Sequence, residues 1–336
     1  MKATAVAPSN IALIKYWGKI DEELRLPANA SVSMNLDNLI TITTVEFSHK
    51  YKTDTIHFLR SSKFIKKTLE REFNESEKNR IIRHLERIRV MAHIQDKAAV
   101  ATSNNFQKGS GIASSASGFA ALTVAGCVAA GLAISERELT ILARLGSGSA
   151  CRSIPDGFAM WQRGKTSEES FAYSLFPASH WELRDILCIV DAKPKKTLST
   201  DGMRHASASS LWGIRQRELP KRICLIKQAL KEKNITLLGN IIEKDCLDMH
   251  SVMQTQTPPL FYWNDDTKRI INSVIDWRRR GLPVYFTIDA GPNVHLICES
   301  ISEKEVTEKA KTLSGVQQIL INKPSSGAHL IHSHLF

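Results

Sequence analysis

Residues 109–118 read GSGIASSASG and lead directly into an apolar run that extends from Phe119 to Leu132. Because this run is most simply a buried helix, the small residues before it form a loop at a helix N-terminus. Such an end offers unpaired backbone N–H groups and the positive end of the helix dipole, and both favour an anion. Glycines let the backbone approach a phosphate closely, and serine hydroxyls can donate to it or reach a magnesium ion. The loop is neither a GxxxxGKS/T loop nor a GxGxxG loop after a strand, and it could instead only cap the helix.

Strand and helix patterns follow one another along the rest of the chain without a regular βαβ repeat. Alternating β-branched residues predict a strand over Ile40–Phe47, and apolar spacing predicts an amphipathic helix over Ser76–Met91. The other predicted elements are helices over 135–145, 211–233 and 267–280 and strands over 184–191 and 284–288. This mixture favours an α+β fold. A chain of 336 residues is long enough for two domains, which we place at 1–190 and 191–336.

The composition excludes several classes of protein. Apolar residues make up 43% of the chain and charged residues 24%, which is unlike a disordered protein. The longest charge-free apolar run, 119–134, is too short for a membrane-spanning helix, which needs about 20 apolar residues. Pro8 interrupts the opening residues before the apolar core of a signal peptide could form. The six cysteines are scattered without a CxxC pair, so we expect reduced thiols in the cytoplasm and no zinc site.

The formal net charge of +11 implies an anionic partner without saying which one. Nucleic acid and phosphorylated small molecules are both candidates. The lysines and arginines are spread along the chain, no basic tail is present, and the aromatic residues do not interleave with the charge. We therefore expect a small-molecule partner and neither a nucleic-acid nor a membrane partner.

Three further segments carry groups that could take part in chemistry. The sequence GSGSACRS at 146–153 combines small residues with Arg152, which suits a carboxylate because its guanidinium is bidentate and always charged. It could also be a helix–helix turn with a surface arginine. In KYWGK at 15–19, two lysines flank aromatic residues beside an apolar segment; an edge strand with lysines reaching solvent is the alternative. Asp289 follows a predicted strand. It is either a turn residue or a functional carboxylate that acts as a base or orients a charged group.

In this order, the segments resemble the mevalonate diphosphate decarboxylases of the GHMP kinase superfamily. Six separated motifs carry the resemblance: APSNIALIKYWGK at 7–19, LPANASVS at 26–33, GIASSASGFAAL at 111–122, GSGSACRS at 146–153, STDGM at 199–203 and DAGPN at 289–293. The Gly/Ser loop alone would indicate only the superfamily, whereas KYWGK and GSGSACRS are much narrower. Because six motifs occur in the correct order, a chance match is very improbable.

The resemblance implies a two-domain GHMP kinase fold, with a ribosomal S5 domain 2-like N-terminal part and a ferredoxin-like C-terminal part. It also implies a reaction. ATP phosphorylates the C3 hydroxyl of a 5-phosphorylated mevalonate, and phosphate and CO2 are then lost to leave an alkene. ATP and Mg²⁺ are the implied cofactors, and a homodimer is the implied assembly.

The resemblance also implies roles for individual residues. Asp289 would deprotonate or orient the C3 hydroxyl, Lys15 would lie beside it, and Arg152 would hold the C1 carboxylate of the substrate. The residues implied in substrate binding are Tyr16, Trp17, Gly18, Lys19, Ser147, Gly148, Ser149, Ser199 and Thr200. Those implied in ATP binding are Lys108, Gly109, Ser110, Gly111, Ala113, Ser114, Ser115 and Ser117, with Ser115 also near the metal.

Two departures from the family pattern concern the phosphorylated end of the substrate. Ile20 stands where members often have arginine, and Thr200 stands where some bacterial members have one. A terminal phosphate adds charge that a cation would balance. The family resemblance favours a 5-diphosphate and isopentenyl diphosphate, whereas the missing cations favour a 5-monophosphate and isopentenyl phosphate. A basic residue from the helix at 78–89 could compensate.

Two other classes of function are also compatible with these motifs. The first is a superfamily kinase that stops after C3 phosphorylation. Arg152 argues against it, because such a kinase has no need of a group for the carboxylate. The second is a basic nucleic-acid or regulatory binder on the same fold, and the intact catalytic motifs argue against it.

Overall fold

A computed structural model describes residues 1–59, 73–106, 114–191, 197 and 199–336. The strands in these residues are β1 (Lys2–Ile14), β2 (Lys19–Asp21), β3 (Leu26–Pro27), β4 (Ser31–Ser48), β5 (Thr55–Phe58), β6 (Lys97–Asn104), β7 (Phe158–Trp161), β8 (Ala172–Phe176), β9 (Leu183–Ile189), β10 (Val284–Thr287), β11 (Val294–Glu299), β12 (Gln318–Asn322) and β13 (His329–Ile331). The α-helices are α1 (Glu75–Ala92), α2 (Ser114–Ala129), α3 (Glu136–Gly146), α4 (Ser199–Met203), α5 (Trp212–Glu232), α6 (Ile235–Thr255), α7 (Asp265–Arg279) and α8 (Glu303–Lys311).

Two sheets organise the chain. The first runs in the order β13-β1-β4-β6-β5, with β7 paired to β4 and β8 to β7, and the second runs β10-β11-β9-β12. β1 and β4 pair antiparallel over most of their length, and their register shifts at Pro8, whose nitrogen has no hydrogen to donate. The mixture of sheets and separate helices confirms the predicted α+β class. The division of the chain at residue 190 stays a prediction.

The helix that follows the Gly/Ser loop is buried on almost all sides, as its composition predicts. α2 packs on β1 and β4 and touches α1 closely at Gly126, where a Cβ atom would come within 2.6 Å of the Ile88 side chain. The predicted helices near 76–91 and 135–145 are confirmed as α1 and α3. Capping boxes at Asn74 and Ser135 begin them.

The helix α6 has no counterpart among the predicted elements. Its buried face includes polar residues, notably Glu243, Asp245 and His250, and Gly239 packs under Tyr285. These residues interrupt the apolar period by which an amphipathic helix is recognised. None of the helices in the described ranges is long and apolar enough to span a bilayer.

Candidate active site

Lys15 and Asp289 meet where the two sheets approach each other. Lys15 follows the last residue of β1 and Asp289 follows β10. The Lys15 Nζ atom lies 2.6 Å from Asp289 Oδ1 and also donates to the Ala12 carbonyl at 2.8 Å. The Lys15 side chain is only 1% exposed, whereas that of Asp289 is 25% exposed. The alternative of a lysine that reaches solvent is therefore wrong for Lys15, whose charge is held beneath a carboxylate that remains open on one side.

The environment keeps Asp289 ionised. Burial would raise its pKa, but the charge of Lys15, helped by His295 and Arg152, outweighs that effect and leaves the pKa below its ordinary value. The Lys15 hydrogen bond contributes in the same direction. Asp289 is therefore a fixed negative charge at neutral pH rather than a strong base.

A buried carboxylate on α6 holds the backbone of Lys15. Asp245, which is fully buried, accepts a hydrogen bond from the Lys15 backbone nitrogen at 2.7 Å. Arg215 and Arg222 of α5 pair with the same carboxylate at 3.0 and 3.1 Å, and Arg222 also pairs with Asp248. The sequence analysis missed this network because its members come from three elements, each without a motif of its own. Two arginines on one buried carboxylate anchor the end of β1 and so position the Lys15 side chain.

Arg152 lies in a 3₁₀ helix at Gly148–Ser153 and is 3% exposed, so the alternative of a surface arginine is wrong. Its terminal nitrogens donate to Ser31 Oγ at 2.8 Å and Asn10 Oδ1 at 3.2 Å. Asn10 is held in turn by its hydrogen bond to Ser153 Oγ at 2.8 Å. Within the described residues, Arg152 Nε is buried and has no acceptor. Among the described residues, this buried guanidinium also has no carboxylate partner, and a carboxylate ligand would balance its charge.

The two predicted anion loops come together at the start of α2. Ser115 Oγ lies 3.2 Å from Ser147 Oγ, so serines from the Gly/Ser loop and from GSGSACRS share one edge of the site. Ser114 begins α2, and the Ser117 hydroxyl faces inward to Thr41 Oγ1 at 2.7 Å. The remaining predicted ATP-binding residues lie outside the described ranges: Lys108, Gly109, Ser110, Gly111 and Ala113. Their roles, and those of Ser114, Ser115 and Ser117, stay predictions.

Tyr16 presents a buried phenol to the turn at Gly148. Its ring packs edge-on to Trp161 at 4.6 Å, and its hydroxyl has no partner among the described residues. A Cβ atom on Gly148 would come within 2.9 Å of that hydroxyl, so only glycine fits beneath it. Burial raises the pKa of Tyr16, and the phenol therefore keeps its proton. An unpaired O–H donor beside small residues suits an anionic group.

Comparison with known proteins identifies the family. A family model described as the diphosphomevalonate decarboxylase-like N-terminal domain matches residues 7–172, and one described as the mevalonate 5-diphosphate decarboxylase C-terminal domain matches residues 186–327. The chain belongs to the diphosphomevalonate decarboxylase family. The relative of that name from Debaryomyces hansenii is 34% identical over 90% of this chain and 81% of its own length. The one from Bos taurus is 36% identical over 86% and 75%.

Solved structures agree with this family membership. Mevalonate diphosphate decarboxylase from Staphylococcus aureus matches with a TM-score of 0.90 at 32% identity, over 98% of both chains. A complex of the protein called MDDEF with MVAPP, AMPPCP and magnesium matches with a TM-score of 0.89 at 36% identity, over 99% of both chains. The likeness confirms the two-domain GHMP kinase fold that the motifs predicted.

The other predicted substrate residues of this decarboxylase family member take different positions. Lys19 and Gly18 line a cleft of about 210 Å³ together with Glu22, Arg204 and Trp212. Lys19 Nζ pairs with Glu22 at 2.6 Å. Trp17, by contrast, is 1% exposed and packs into an apolar cluster with residues of α6. Ser199 and Thr200 form the start of α4, whose last residue, Met203, lines the same cleft. Lys19 thus lines an open cleft, whereas Trp17 is buried in side-chain packing, and the substrate roles of these residues stay predictions.

The cysteines and the other side chains that commonly bind metals do not gather at one place in the described residues. The six cysteines are all free, and five of them are buried. In the ranges that the structure describes, no group of three or more histidine, cysteine, aspartate or glutamate side chains could hold a metal ion. A site for Mg²⁺ would therefore draw on hydroxyl oxygens, water and the phosphates of a ligand.

Proposed function

We propose that this chain catalyses the ATP-dependent decarboxylation of mevalonate 5-diphosphate to isopentenyl diphosphate. The observation that carries the proposal is the ion pair of Lys15 and Asp289, with Arg152 close enough to lower the pKa of Asp289. Phosphorylation of a hydroxyl needs a group such as Asp289. A buried arginine without a carboxylate partner in the described residues, such as Arg152, is needed only if a carboxylate of the substrate must be held as well. Family membership and the two kinds of group together favour a decarboxylase over a kinase.

The first step is transfer of the ATP γ-phosphoryl group to the C3 hydroxyl. Asp289 accepts the hydrogen bond of that hydroxyl and orients its oxygen, and Lys15 holds the carboxylate in place. Because the pKa of Asp289 is lowered, a full proton transfer before phosphoryl transfer is not favoured. Phosphoryl transfer depends mainly on positioning and charge neutralisation, so an orienting carboxylate is sufficient.

The second step breaks two bonds. The C3–O bond breaks with its electron pair leaving on phosphate, and positive charge develops at C3. The C1–C2 bond then supplies the pair that forms the C2–C3 double bond, and CO2 departs. Asp289 stabilises the positive charge at C3, and Arg152 keeps the C1 carboxylate aligned for the fragmentation.

ATP and Mg²⁺ are the proposed cofactors, and the described residues fit them. The first turn of α2 carries no acidic residue that would repel phosphate, and the hydroxyls of Ser115 and Ser147 face each other there. These two serines are the groups that would hold the metal, together with phosphate oxygens. When bound, Mg²⁺ neutralises phosphate charge. The chain itself contributes hydroxyl ligands and a helix N-terminus.

The phosphorylated end of the substrate is assigned to the residues around Tyr16. The Tyr16 hydroxyl, the Lys19 ammonium and the turn at 147–149 provide donors on neighbouring segments. Gly18, Ser199 and Thr200 are proposed as flanking contacts. Trp17 is buried against α6. This burial favours a role in packing, by which Trp17 holds the KYWGK segment in place.

The proposal also covers the kind of substrate, the assembly, the location and the domain division. The chain acts on a small molecule, and we propose that it does so as a homodimer. The free, mostly buried cysteines support a reducing, cytoplasmic location. We also propose a division into an ATP-binding domain at 1–190 and a C-terminal domain at 191–336.

A side-by-side assay tests the function. ATP-dependent CO2 release is measured with mevalonate, mevalonate 5-phosphate and mevalonate 5-diphosphate at matched concentrations, together with ADP formation. We expect CO2 from the diphosphate in a one-to-one ratio with ADP. CO2 mainly from the monophosphate would replace the proposed substrate. ADP without CO2 from every substrate would make the protein a kinase and would remove the assigned role of Arg152.

A further inference from the structure

Three arginines meet at the C-terminal end of α3, immediately before the turn at 147–149. Arg25 Nε donates to the Leu145 carbonyl at 3.0 Å, and Arg87 donates to the same oxygen at 3.4 Å. Arg80 of α1 donates to the Gly146 carbonyl at 3.1 Å. We call Arg25, Arg80 and Arg87 the arginine cluster. Its members come from the β2–β3 connection and from α1, so no single motif contains it.

Within the described ranges, the carboxylates nearest to the arginine cluster act on it only from beyond ion-pair distance: Glu22 on Arg25, Glu77 on Arg80 and Glu23 on Arg87. Among the described residues, none of the three forms an ion pair with a carboxylate. In the part of the chain that the structure describes, their hydrogen-bond acceptors are the two carbonyls. The charges also repel one another. Burial first, and Arg25 next, lower the pKa of Arg80 to about 10, and the pKa of Arg87 is lowered in the same way. The negative end of the α3 dipole, about half an elementary charge, is too small to offset three guanidiniums.

Arg25 is the member of the arginine cluster whose charge acts on two residues proposed for the phosphorylated end of the substrate, Tyr16 and Lys19. It lies in the connection between β2, which begins at Lys19, and β3. Its Nε atom is engaged with Leu145, but its two terminal nitrogens have no partner within the described residues. The backbone at Arg25 has a φ of 51°, an unusual conformation for a residue with a side chain. The β2–β3 connection thus holds the Arg25 guanidinium against the Leu145 carbonyl, two residues before Ser147.

Relatives often carry an arginine at position 20. In this chain that residue is Ile20, and β2 supplies no arginine in its place. Ile20 is 50% exposed, and its neighbour Lys19 is already paired with Glu22. Arg204 lies 3.7 Å from the same Glu22 oxygen and 3.5 Å from Asp201, so carboxylates already balance its charge. The cation that a second phosphate requires is therefore lacking at residue 20 and present, with free donors, at residue 25.

We propose that the terminal nitrogens of Arg25 bind the terminal phosphate of the substrate's 5-diphosphate and so determine the preference for a diphosphate over a monophosphate. Arg80 and Arg87 raise the positive potential around it and fix the carbonyl on which it rests. This inference rests on the proposed function and deepens it. A fork of two N–H donors matches two phosphate oxygens, and such charge-assisted bonds are about twice as strong as neutral ones.

The test compares Arg25→Gln with the wild-type enzyme on both phosphorylated substrates. Gln has a Cβ atom like Arg, so it adds no new backbone strain at this φ. We expect kcat/KM for mevalonate 5-diphosphate to fall about 10- to 100-fold, mostly through KM, with kcat/KM for mevalonate 5-phosphate unchanged. Arg25→Lys should recover part of the loss because it restores the charge without the fork. Arg279→Gln, at a side chain that is 76% exposed and far along the chain, is the control for loss of one positive charge.

Titration calorimetry without ATP gives a second readout, in which Arg25→Gln should weaken binding of the diphosphate by the same factor and leave the monophosphate unaffected. An equal loss on both substrates, or no loss on either, would overturn the inference and reduce Arg25 to a cap for α3. These outcomes differ from failure of the proposed function, in which the wild-type enzyme itself would release no CO2. A wild-type preference for the monophosphate would overturn the inference without touching the decarboxylation chemistry.

Discussion

The Lys15–Asp289 pair and the arginine cluster differ in whether each charge has an opposite charge in contact with it. At Lys15–Asp289, each charge faces an opposite one at 2.6 Å, and the lysine is removed from water. In the arginine cluster, three cations meet at two carbonyl oxygens, and no carboxylate among the described residues is paired with them. A balanced pair is suited to hold a reacting group in one orientation. An unbalanced cluster is suited to attract and release an anion.

The comparison predicts that the pair controls chemistry and the cluster controls binding. Substitutions at the first should lower kcat with little effect on ligand affinity. Substitutions at the second should raise KM for one substrate and spare kcat. Three further changes test this division, beginning with the largest expected effect.

Asp289→Asn removes the negative charge and keeps the size of the side chain. We expect CO2 release to fall by about 1000-fold or more, because the orienting charge and the stabilisation of C3 are lost together. Binding of an ATP analogue, measured by calorimetry, should stay nearly intact, since Asp289 lies on a different segment from α2. Asp265→Asn, at a side chain that is 90% exposed, is the matched control. A near-normal rate in Asp289→Asn, in a protein that melts like the wild type, would remove Asp289 from the mechanism.

Gly148→Ala tests the turn at 147–149, which packs against Tyr16 and follows the two carbonyls that the arginine cluster holds. The added methyl group would lie 2.8 Å from Tyr16 Cε1, so the phenol must move. We expect KM for the 5-diphosphate to rise about 10-fold, which is the size of a moderate overpacking cost, with a smaller effect on kcat. Gly213→Ala, where the nearest atom would lie 3.5 Å away, should change neither constant. If kcat fell more than KM rose, the turn would belong to the chemistry rather than to binding.

The smallest expected effect is a change of stability with pH. It concerns two buried histidines, His84 near the arginine cluster and His250 near Asp289. Burial lowers the pKa of His84, which bonds to Thr123 near the arginine cluster, and that of His250, which contacts Ile288 beside Asp289, to about 3. Both stay neutral when folded, but the unfolded chain binds a proton at each below about pH 6.5. The unfolded state is therefore favoured as the pH falls through that range.

From pH 7.5 to pH 5.5, the free energy of unfolding should drop by about 1.4 kcal/mol for each histidine. Urea unfolding at the two pH values measures this drop, and in His84→Gln it should be about half as large. A drop of the same size in that variant would show that His84 titrates freely in the folded state. Asp289 acts in the same direction, but in a lower pH range. Its lowered pKa means that its contribution to stability is complete above the ordinary carboxyl value and is lost only at still lower pH.

Much of the candidate site could be predicted from local sequence. Lys15, Arg152 and Asp289 each stand in a short motif whose residue types match one chemical task, and the structure brings their side chains into one another's electrostatic reach. The capped helices α1 and α3 could also be predicted, because capping boxes and apolar spacing are properties of adjacent residues. By contrast, α6 was missed because its inward face carries the Asp245 carboxylate, whose arginine partners lie on α5.

The family, the α+β class and the order of the motifs could be predicted from sequence, because each depends on residues that are neighbours in the chain. Which charges meet depends instead on how distant segments pack together. Lys15 and Asp289 are 274 residues apart, and Arg25 reaches the end of α3 across 120 residues. Local periodicity carries no record of such distant contacts. Tertiary packing sets these distances: the approach of the two large sheets for Lys15 and Asp289, and the packing of the β2–β3 connection on α3 for Arg25.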